Sequence, residues 1–290
     1  MLHASVPVQE RRTALRQGLD SGKLLRFPGA TTPMAATLIQ QYGFEGVYVS
    51  GGVLANDLSL PDIALTTQTE VAMRAHQIAR VVDLPTIVDI DTGFGGPLNA
   101  ARTIHQLEDL GLSACHIEDQ ASPKRCGHLD GKTLVDTEEM VSRIRATVHA
   151  RRDPSFVLIA RTDARAVEGL EAAIRRAKAY VEAGADMIFP EALADEQEFE
   201  RFRRELDVPL LANMTEFGKS QLLDADTLQR LGYNAVIYPV TLQRLAMGAI
   251  ERGLRALRDE GTQASVVDDM QTRARLYEVL GYDQYNAFTP

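Results

Sequence analysis

Cysteine is scarce: Cys115 and Cys126 are the 2 in 290 residues, so no disulfide framework holds this chain together. Long apolar runs are absent too. They stop at about five residues, where a membrane-spanning helix needs ~20, so no transmembrane segment is expected. Residues 1–12 carry charge in place of the apolar core of a secretory signal, and a cytoplasmic location is expected. Positive charge is in deficit. Lys and Arg number 31 against 40 Asp and Glu, and the net charge of −9 excludes general attraction to nucleic acid or an anionic membrane. No GxGxxG follows the first apolar run, as a dinucleotide site on an open sheet would require.

What is present is a repeat. Short apolar, β-branched runs recur at 24–27, 46–49, 86–88, 114–117, 156–160, 187–189, 210–212 and 235–238, with helical periodicity between them. In 168–183, for example, Leu170, Ile174, Ala177 and Val181 form one stripe beside Arg175, Arg176 and Lys178. Gly43, Gly111, Gly184 and Gly232 stand where a helix would end before the next strand. The pattern predicts an α/β protein with a (β/α)₈ TIM-like barrel, in a single domain over 1–290. A helix over 8–19 precedes it. Residues 241–290 form a C-terminal helical extension with helices over 241–260 and 266–280, one more than a barrel needs. Met270, Leu276, Tyr277 and Leu280 on the surplus helix are expected to pack on a neighbouring element or subunit.

Barrel chemistry belongs at the carboxyl ends of the strands. There the sequence places Ser50-Gly51-Gly52, Asp89 with Asp91, Glu118-Asp119, Arg161 with Asp163, Glu191, and Asn213 with Thr215. On a continuing strand Asp89 and Asp91 would face one side, and with Glu118 they would form an acidic cluster that a hard cation such as Mg²⁺ neutralises. The alternative is that these acids are solvated turn residues. The loop 119–136 is long for a βα turn and is expected to be a mobile lid. It carries Cys126 among Lys124, Arg125 and His128, neighbours that favour thiolate and would lower its pKa toward proton transfer. Cys115 lies in an apolar run and is expected to pack in the core. Zinc is not expected, because His128 has no second His or Cys at ligand spacing.

Lys124-Arg125-Cys126-Gly127-His128 after Glu118-Asp119-Gln120, with Asp89-Ile90-Asp91-Thr92-Gly93-Phe94-Gly95 upstream, resembles the isocitrate lyase and phosphoenolpyruvate mutase superfamily. The likeness extends over nearly the whole chain. It implies a lyase that cleaves a carbon–carbon bond of a 2-hydroxy acid, with 2-methylisocitrate of propionate catabolism as expected substrate and 2,3-dimethylmalate as the enzymatic alternative. It further implies Mg²⁺, with Mn²⁺ as the other candidate, bound through Asp89, with Asp91, Glu118 and Asp62 acting through water. Cys126 matches the general acid, and Tyr48 matches either a base for the hydroxyl or an orienting residue. Ser50, the backbone of Gly51 and Gly52, and Arg161 match a clamp for the pyruvate-like carboxylate. Lys124, Gly127, His128, Glu191, Asn213, Thr215, Arg244 and Arg273 match substrate contacts. The implied partner is a small hydroxy di- or tricarboxylate, and the implied assembly a homotetramer that exchanges a C-terminal helix. One departure is Val53-Leu54-Ala55 after Gly52, where relatives usually carry a third glycine. The non-enzymatic alternative is a barrel that binds dicarboxylates without cleaving them.

Overall fold

Eight parallel strands follow one another around a ring, as the repeat predicts. In chain order the elements are α1 (Val8–Leu19), β1 (Leu25–Pro28), α2 (Pro33–Gln41), β2 (Val47–Val49), α3 (Gly51–Asp57), α4 (Gln68–Ala79), β3 (Thr86–Asp89), α5 (Pro97–Asp109), β4 (Ala114–Glu118) and α6 (Thr137–Ala150). Then come β5 (Val157–Thr162), α7 (Arg165–Glu168), α8 (Leu170–Glu182), β6 (Met187–Pro190), α9 (Glu196–Arg204), β7 (Leu211–Asn213), α10 (Ala225–Arg230), β8 (Ala235–Tyr238), α11 (Thr241–Glu260), a 3₁₀ turn (Ala264–Asp269), α12 (Arg273–Leu280) and α13 (Tyr282–Asn286). The computed structural model describes residues 4–288; residues 1–3, 289 and 290, the ends of the expected 1–290 domain, lie outside it. The strands pair as β2-β3-β4-β5-β6 and as β1-β8-β7. Single bridges Gly29–Tyr48 and Ile188–Leu210 join the two sheets into a barrel.

Strand side chains alternate, so every second residue points inward. Phe27, Tyr48, Ile87, Ala114, Val157, Ile159, Met187, Phe189, Leu211, Ala235 and Ile237 fill the interior as one buried cluster. Leu15 and Leu19 of α1 join that cluster. Arg11 and Arg12 tie α1 down, for Arg11 Nη1 donates to the Ala79 and Val82 carbonyls at 2.8 and 3.1 Å, and Arg12 Nε to the Leu112 carbonyl at 2.8 Å. The opposite mouth is therefore left for chemistry. A second cluster lies between the strands and the helices, where Cys115 is fully buried.

Local signals behave as expected at the αβ turns. Gly43, Gly111, Gly184 and Gly232 have φ of +74°, +82°, +105° and +82°, a left-handed conformation that strains any residue with a Cβ. Two helix boundaries differ from the periodicity. The stripe Leu170, Ile174, Ala177 and Val181 lies whole in α8, but that helix starts at Leu170 and not at Glu168, because Gly169 at φ +91° separates it from α7. The helix expected over 266–280 is a 3₁₀ turn followed by α12, which restarts where the Thr272 side chain accepts from the Arg275 N–H at 3.1 Å. The surplus helix does reach a neighbouring element, since Arg275 Nη2 donates to Gln41 Oε1 of α2 at 2.9 Å.

Candidate active site

Beyond the inward apolar layer, the same alternation delivers Asp89, Arg161, Glu191 and Asn213 two residues on, and Glu118 four residues after Ala114, to the carboxyl end of the barrel. Register sets the neighbours: Asp89 lies beside His116, and Glu118 beside Arg161. A cavity of about 230 Å³ opens there. Of the residues expected from sequence, Tyr48, Ser50, Gly52, Asp62, Asp89, Lys124, Cys126, Gly127, His128, Arg161, Glu191, Asn213, Thr215 and Arg244 line it. Gly51, Asp91, Glu118 and Arg273 do not.

Each exception has a physical reason. Gly51 turns its N–H to Asp89 Oδ2 at 3.2 Å instead of toward the cavity. Asp91 is not on a continuing strand: β3 ends at Asp89, and Asp91 adopts φ +47° while its N–H donates to Asp89 Oδ1 at 2.9 Å. Glu118 lies fully buried beneath Arg161, whose Nη1 stands 3.2 Å from its Oε2. Arg273 is exposed at the start of α12 and is not brought to the mouth of its own barrel.

The expected three-acid cluster is likewise corrected. Among the described residues no three His, Cys, Asp or Glu side chains are placed to hold a metal ion. Cations of the chain separate them, because Lys124 Nζ sits 2.8 Å from Asp91 Oδ1 and also pairs with Asp62, while Arg161 covers Glu118. Burial works against the Lys124 charge, and Asp91, Glu118, Asp89 and Asp62 more than offset it. Burial also pushes the Asp91 carboxyl up to about 6 and the Glu118 carboxyl well above the usual range. At Asp89 burial raises the carboxyl, but His116, Lys124 and Arg161 outweigh it and hold it low. The donor set nonetheless suits a hard cation. Neither oxygen of Glu118 has a hydrogen-bond partner, and Mg²⁺ takes only one or two carboxylates beside its waters and substrate oxygens.

The thiol behaves differently from its sequence neighbourhood. Burial pushes the Cys126 pKa up, and the His128 backbone N–H and Arg161 offset only part of that shift. The expected thiolate is therefore replaced by a thiol that keeps its proton near neutrality. Lys124 points at acids, and His128 Nε2 donates to Glu191 Oε1 at 2.6 Å while its Nδ1 accepts from the Lys219 N–H at 2.9 Å. Those two bonds fix the tautomer. Although burial raises the Glu191 carboxyl, Arg161, His128 and Asn213 bring it down to about 2. Asn213 Nδ2 reaches both Glu191 oxygens, at 3.2 and 3.3 Å.

Arg161 is held by Asp163 through Nε at 3.0 Å and Nη2 at 3.1 Å, with its guanidinium 5.2 Å from the Phe189 ring centre. Arg244 sits at the rim, with Nη1 2.9 Å from Glu216 Oε2. Ser50 caps α3 by accepting from the Val53 N–H at 3.3 Å.

Sequence reasoning missed His116. Its Nε2 shares a 2.7 Å hydrogen bond with Tyr48 Oη and lies 3.6 Å from Asp89 Oδ1. The signal was available, because His116 lies in phase with Ala114 and Glu118 on β4. Burial lowers the imidazole pKa to about 4 and pushes the Tyr48 phenol well above its ordinary value, with Asp89 adding to the latter shift. Both shifts favour the neutral forms, so in this state the phenol and the imidazole meet as a hydrogen-bonded pair whose Tyr48 faces the cavity.

Comparison with known proteins adds four findings. The family model described as phosphoenolpyruvate phosphomutase matches residues 15–258. The chain is 60% identical over 288 residues to "Probable 2-methylisocitrate lyase 2" of Corynebacterium glutamicum, spanning 99% of this chain and 94% of that protein. Among solved structures it matches 2,3-dimethylmalate lyase, of the PEP mutase/isocitrate lyase superfamily, with a TM-score of 0.89 and 33% identity over 97% of this chain and 93% of that one. It also matches phosphonopyruvate hydrolase in complex with oxalate and Mg²⁺, with a TM-score of 0.87 and 33% identity over 96% and 97% of the two chains.

Proposed function

The chain belongs to the phosphoenolpyruvate phosphomutase family, and from that premise we propose that it is a carbon–carbon lyase that splits 2-methylisocitrate into pyruvate and succinate. One observation carries the chemical part: a thiol that burial keeps protonated faces a cavity walled by Asp89, Arg161 and Glu191. The hydroxyl proton passes to a base, for which the Tyr48–His116 pair is the acceptor within the cavity wall, and that oxygen forms the carbonyl of pyruvate as the adjoining carbon–carbon bond breaks. The bond's electron pair leaves on the succinate carbon, delocalised into the neighbouring carboxylate. Cys126 Sγ then gives its proton to that carbon.

Ser50, Gly52 and Arg161 are assigned to the pyruvate half, and Gly127, His128, Glu191, Asn213, Thr215 and Arg244 to the succinate half. Tyr48, bonded to His116, orients the hydroxyl. Lys124 reaches the acids around Asp91, and that pairing seats the Cys126 segment against the barrel. Asp89 would hold Mg²⁺ or Mn²⁺, with Asp91, Glu118 and Asp62 around it, and the ion supplies positive charge beside the pyruvate oxygens when bound. The related phosphonopyruvate hydrolase bound to oxalate and Mg²⁺ supports that assignment.

The same reading makes 1–290 one barrel domain with 241–290 as its extension, in a cytoplasmic homotetramer that exchanges the C-terminal arm. Among the described residues no helix is long and apolar enough to cross a membrane. Only Gln243 and Ala256 of the 20 residues of α11 are buried. An apolar groove of about 690 Å³ lies open between α2, β8 and α10, the slot a barrel's eighth helix would fill. These two observations support exchange, and Arg273 would then serve a neighbouring subunit.

The test is pyruvate release from 2-methylisocitrate, isocitrate and 2,3-dimethylmalate, ranked by kcat/KM. The expected result is 2-methylisocitrate first, with turnover abolished by EDTA and restored by Mg²⁺. Metal-independent turnover, or binding of all three acids without cleavage, overturns the reading.

A further inference from the structure

The segment that carries Cys126 is fastened by three side chains of its own, and they are not equivalent. Lys124 and His128 end on Asp62, Asp91 and Glu191, groups in or beside the cavity that substrate or a cation would also engage. Lys132 ends elsewhere. Its side chain is 1% exposed, and Nζ donates to Asp163 Oδ1 at 3.1 Å and to the carbonyl of Gly127, the residue after Cys126.

Neither Lys132 nor Asp163 lines the cavity. Asp163 is itself fixed: it is fully buried, its N–H donates to Asp119 Oδ1 at 2.8 Å, and Asp119 also accepts from Tyr180 Oη at 2.8 Å. Lys132 therefore touches no side chain that lines the cavity, and Asp163 meets the cavity only through Arg161, which it already holds. Lys132 also acts at the right place, because Gly127 packs so tightly that a Cβ there would lie 2.4 Å from Arg161 Nη2.

We propose that Lys132 is a positioning residue, a latch that holds the Gly127 carbonyl down and so sets where the Cys126 thiol sits over the substrate. An ammonium buried in this way is compensated only while Asp163 and the Gly127 carbonyl face it, so its burial and the seating of the segment are one event. Remove the charge and the seated segment loses a partner that the lifted segment, hydrated, never needed. The equilibrium then shifts toward the lifted form.

This inference takes Cys126 as the proton donor and so rests on the lyase reading, but its main readout needs no substrate. Cys115 is fully buried, which leaves Cys126 as the thiol that iodoacetamide reaches in the folded chain. In Lys132→Met the alkylation rate of Cys126, followed by peptide mass, should rise about tenfold or more. Turnover should fall chiefly in kcat, since the groups assigned to substrate remain. Lys132→Arg, which keeps a donor in reach of Asp163, should alkylate near the parent rate and recover much of the turnover. Lys132→Gln serves in place of Met if Met does not fold. Alkylation of the Met or Gln chain at the parent rate, or an Arg chain as reactive as Met, overturns the latch. A parent chain that releases no pyruvate overturns the lyase reading instead and leaves the alkylation comparison standing.

Discussion

At the scale of single residues, proximity in sequence and proximity in space part company at Cys126. Lys124, Arg125 and His128 surround it in the chain, yet Lys124 ends on Asp62 and Asp91 and His128 on Glu191. Burial then decides the protonation state, and it favours the thiol. An acid is what the reaction needs at that point, so Cys126→Ser should lose about 10²-fold or more in kcat while pyruvate and metal binding persist, measured by turnover and titration. Glu191 gives a prediction about pH. Its carboxyl titrates at about 2 in the folded chain against 4.5 for a free glutamate, so between those values the unfolded chain binds more protons. Its contribution to stability is complete above pH 4.5 and is lost as pH falls toward 2. Urea midpoints of the parent should decline across that window, and Glu191→Gln should flatten the decline. Which side chains converge was legible, because strand alternation carries Asp89, Glu118, Arg161, Glu191 and Asn213 to one rim. How they pair was not, because ion pairs such as Lys124 with Asp91 join residues 33 positions apart in number and depend on the packed loop.

At the scale of elements, all eight strands were legible, since a run of β-branched residues ended by a polar one has few other uses in an α/β chain. In the helical extension α11 was legible over 241–260, and the segment after it was not. Residues 264–280 carry apolar residues at helical spacing, but the chain ends α11 at Gly261 with φ +69° and restarts α12 under the Thr272 cap, leaving only a 3₁₀ turn between. Capping chemistry overrode the hydrophobic period there. Likewise the loop 119–136 could be recognised by length, but its seating depends on a fit that no pattern reports. At Gly127 a Cβ would stand 2.4 Å from Arg161 Nη2 and 2.5 Å from Glu191 Cγ, and both side chains are locked in ion pairs. The segment must lift to accept a methyl group. Gly127→Ala should therefore lower kcat/KM by about 10²-fold, the scale of a misplacement near 1 Å, while the thermal midpoint of the barrel changes little. A variant with parent kinetics would show that this contact does not set the thiol's position.

At the scale of the molecule, the apolar surface of the extension is the feature that a lone chain does not explain. Leu245, Ile250, Leu254 and Leu257 of α11 are 66%, 50%, 60% and 51% exposed, and Met270, Tyr277 and Leu280 beyond it are 48%, 42% and 50% exposed. Single exposed apolar residues are ordinary, but a run of them along one helix is not, and patches beyond a few hundred Å² mark contact surfaces. The groove between α2, β8 and α10 offers matching chemistry in Leu38, Ile39, Tyr42 and Phe44. Another copy of this chain would bring both the exposed helix and the open groove, so the proposed contact would close on itself as in other homo-oligomers. Sedimentation velocity at micromolar concentration should give an assembly of about four chains. Leu254→Glu places a charge in the middle of the proposed contact, far from the cavity, and should shift the chain toward monomer with its helical circular dichroism intact. Turnover should fall with dissociation, because the exposed Arg273 would no longer reach a neighbouring barrel. A parent chain that sediments as monomer would refute the exchange and would also count against Arg273 as a substrate contact, since Arg273 does not line the cavity of its own barrel.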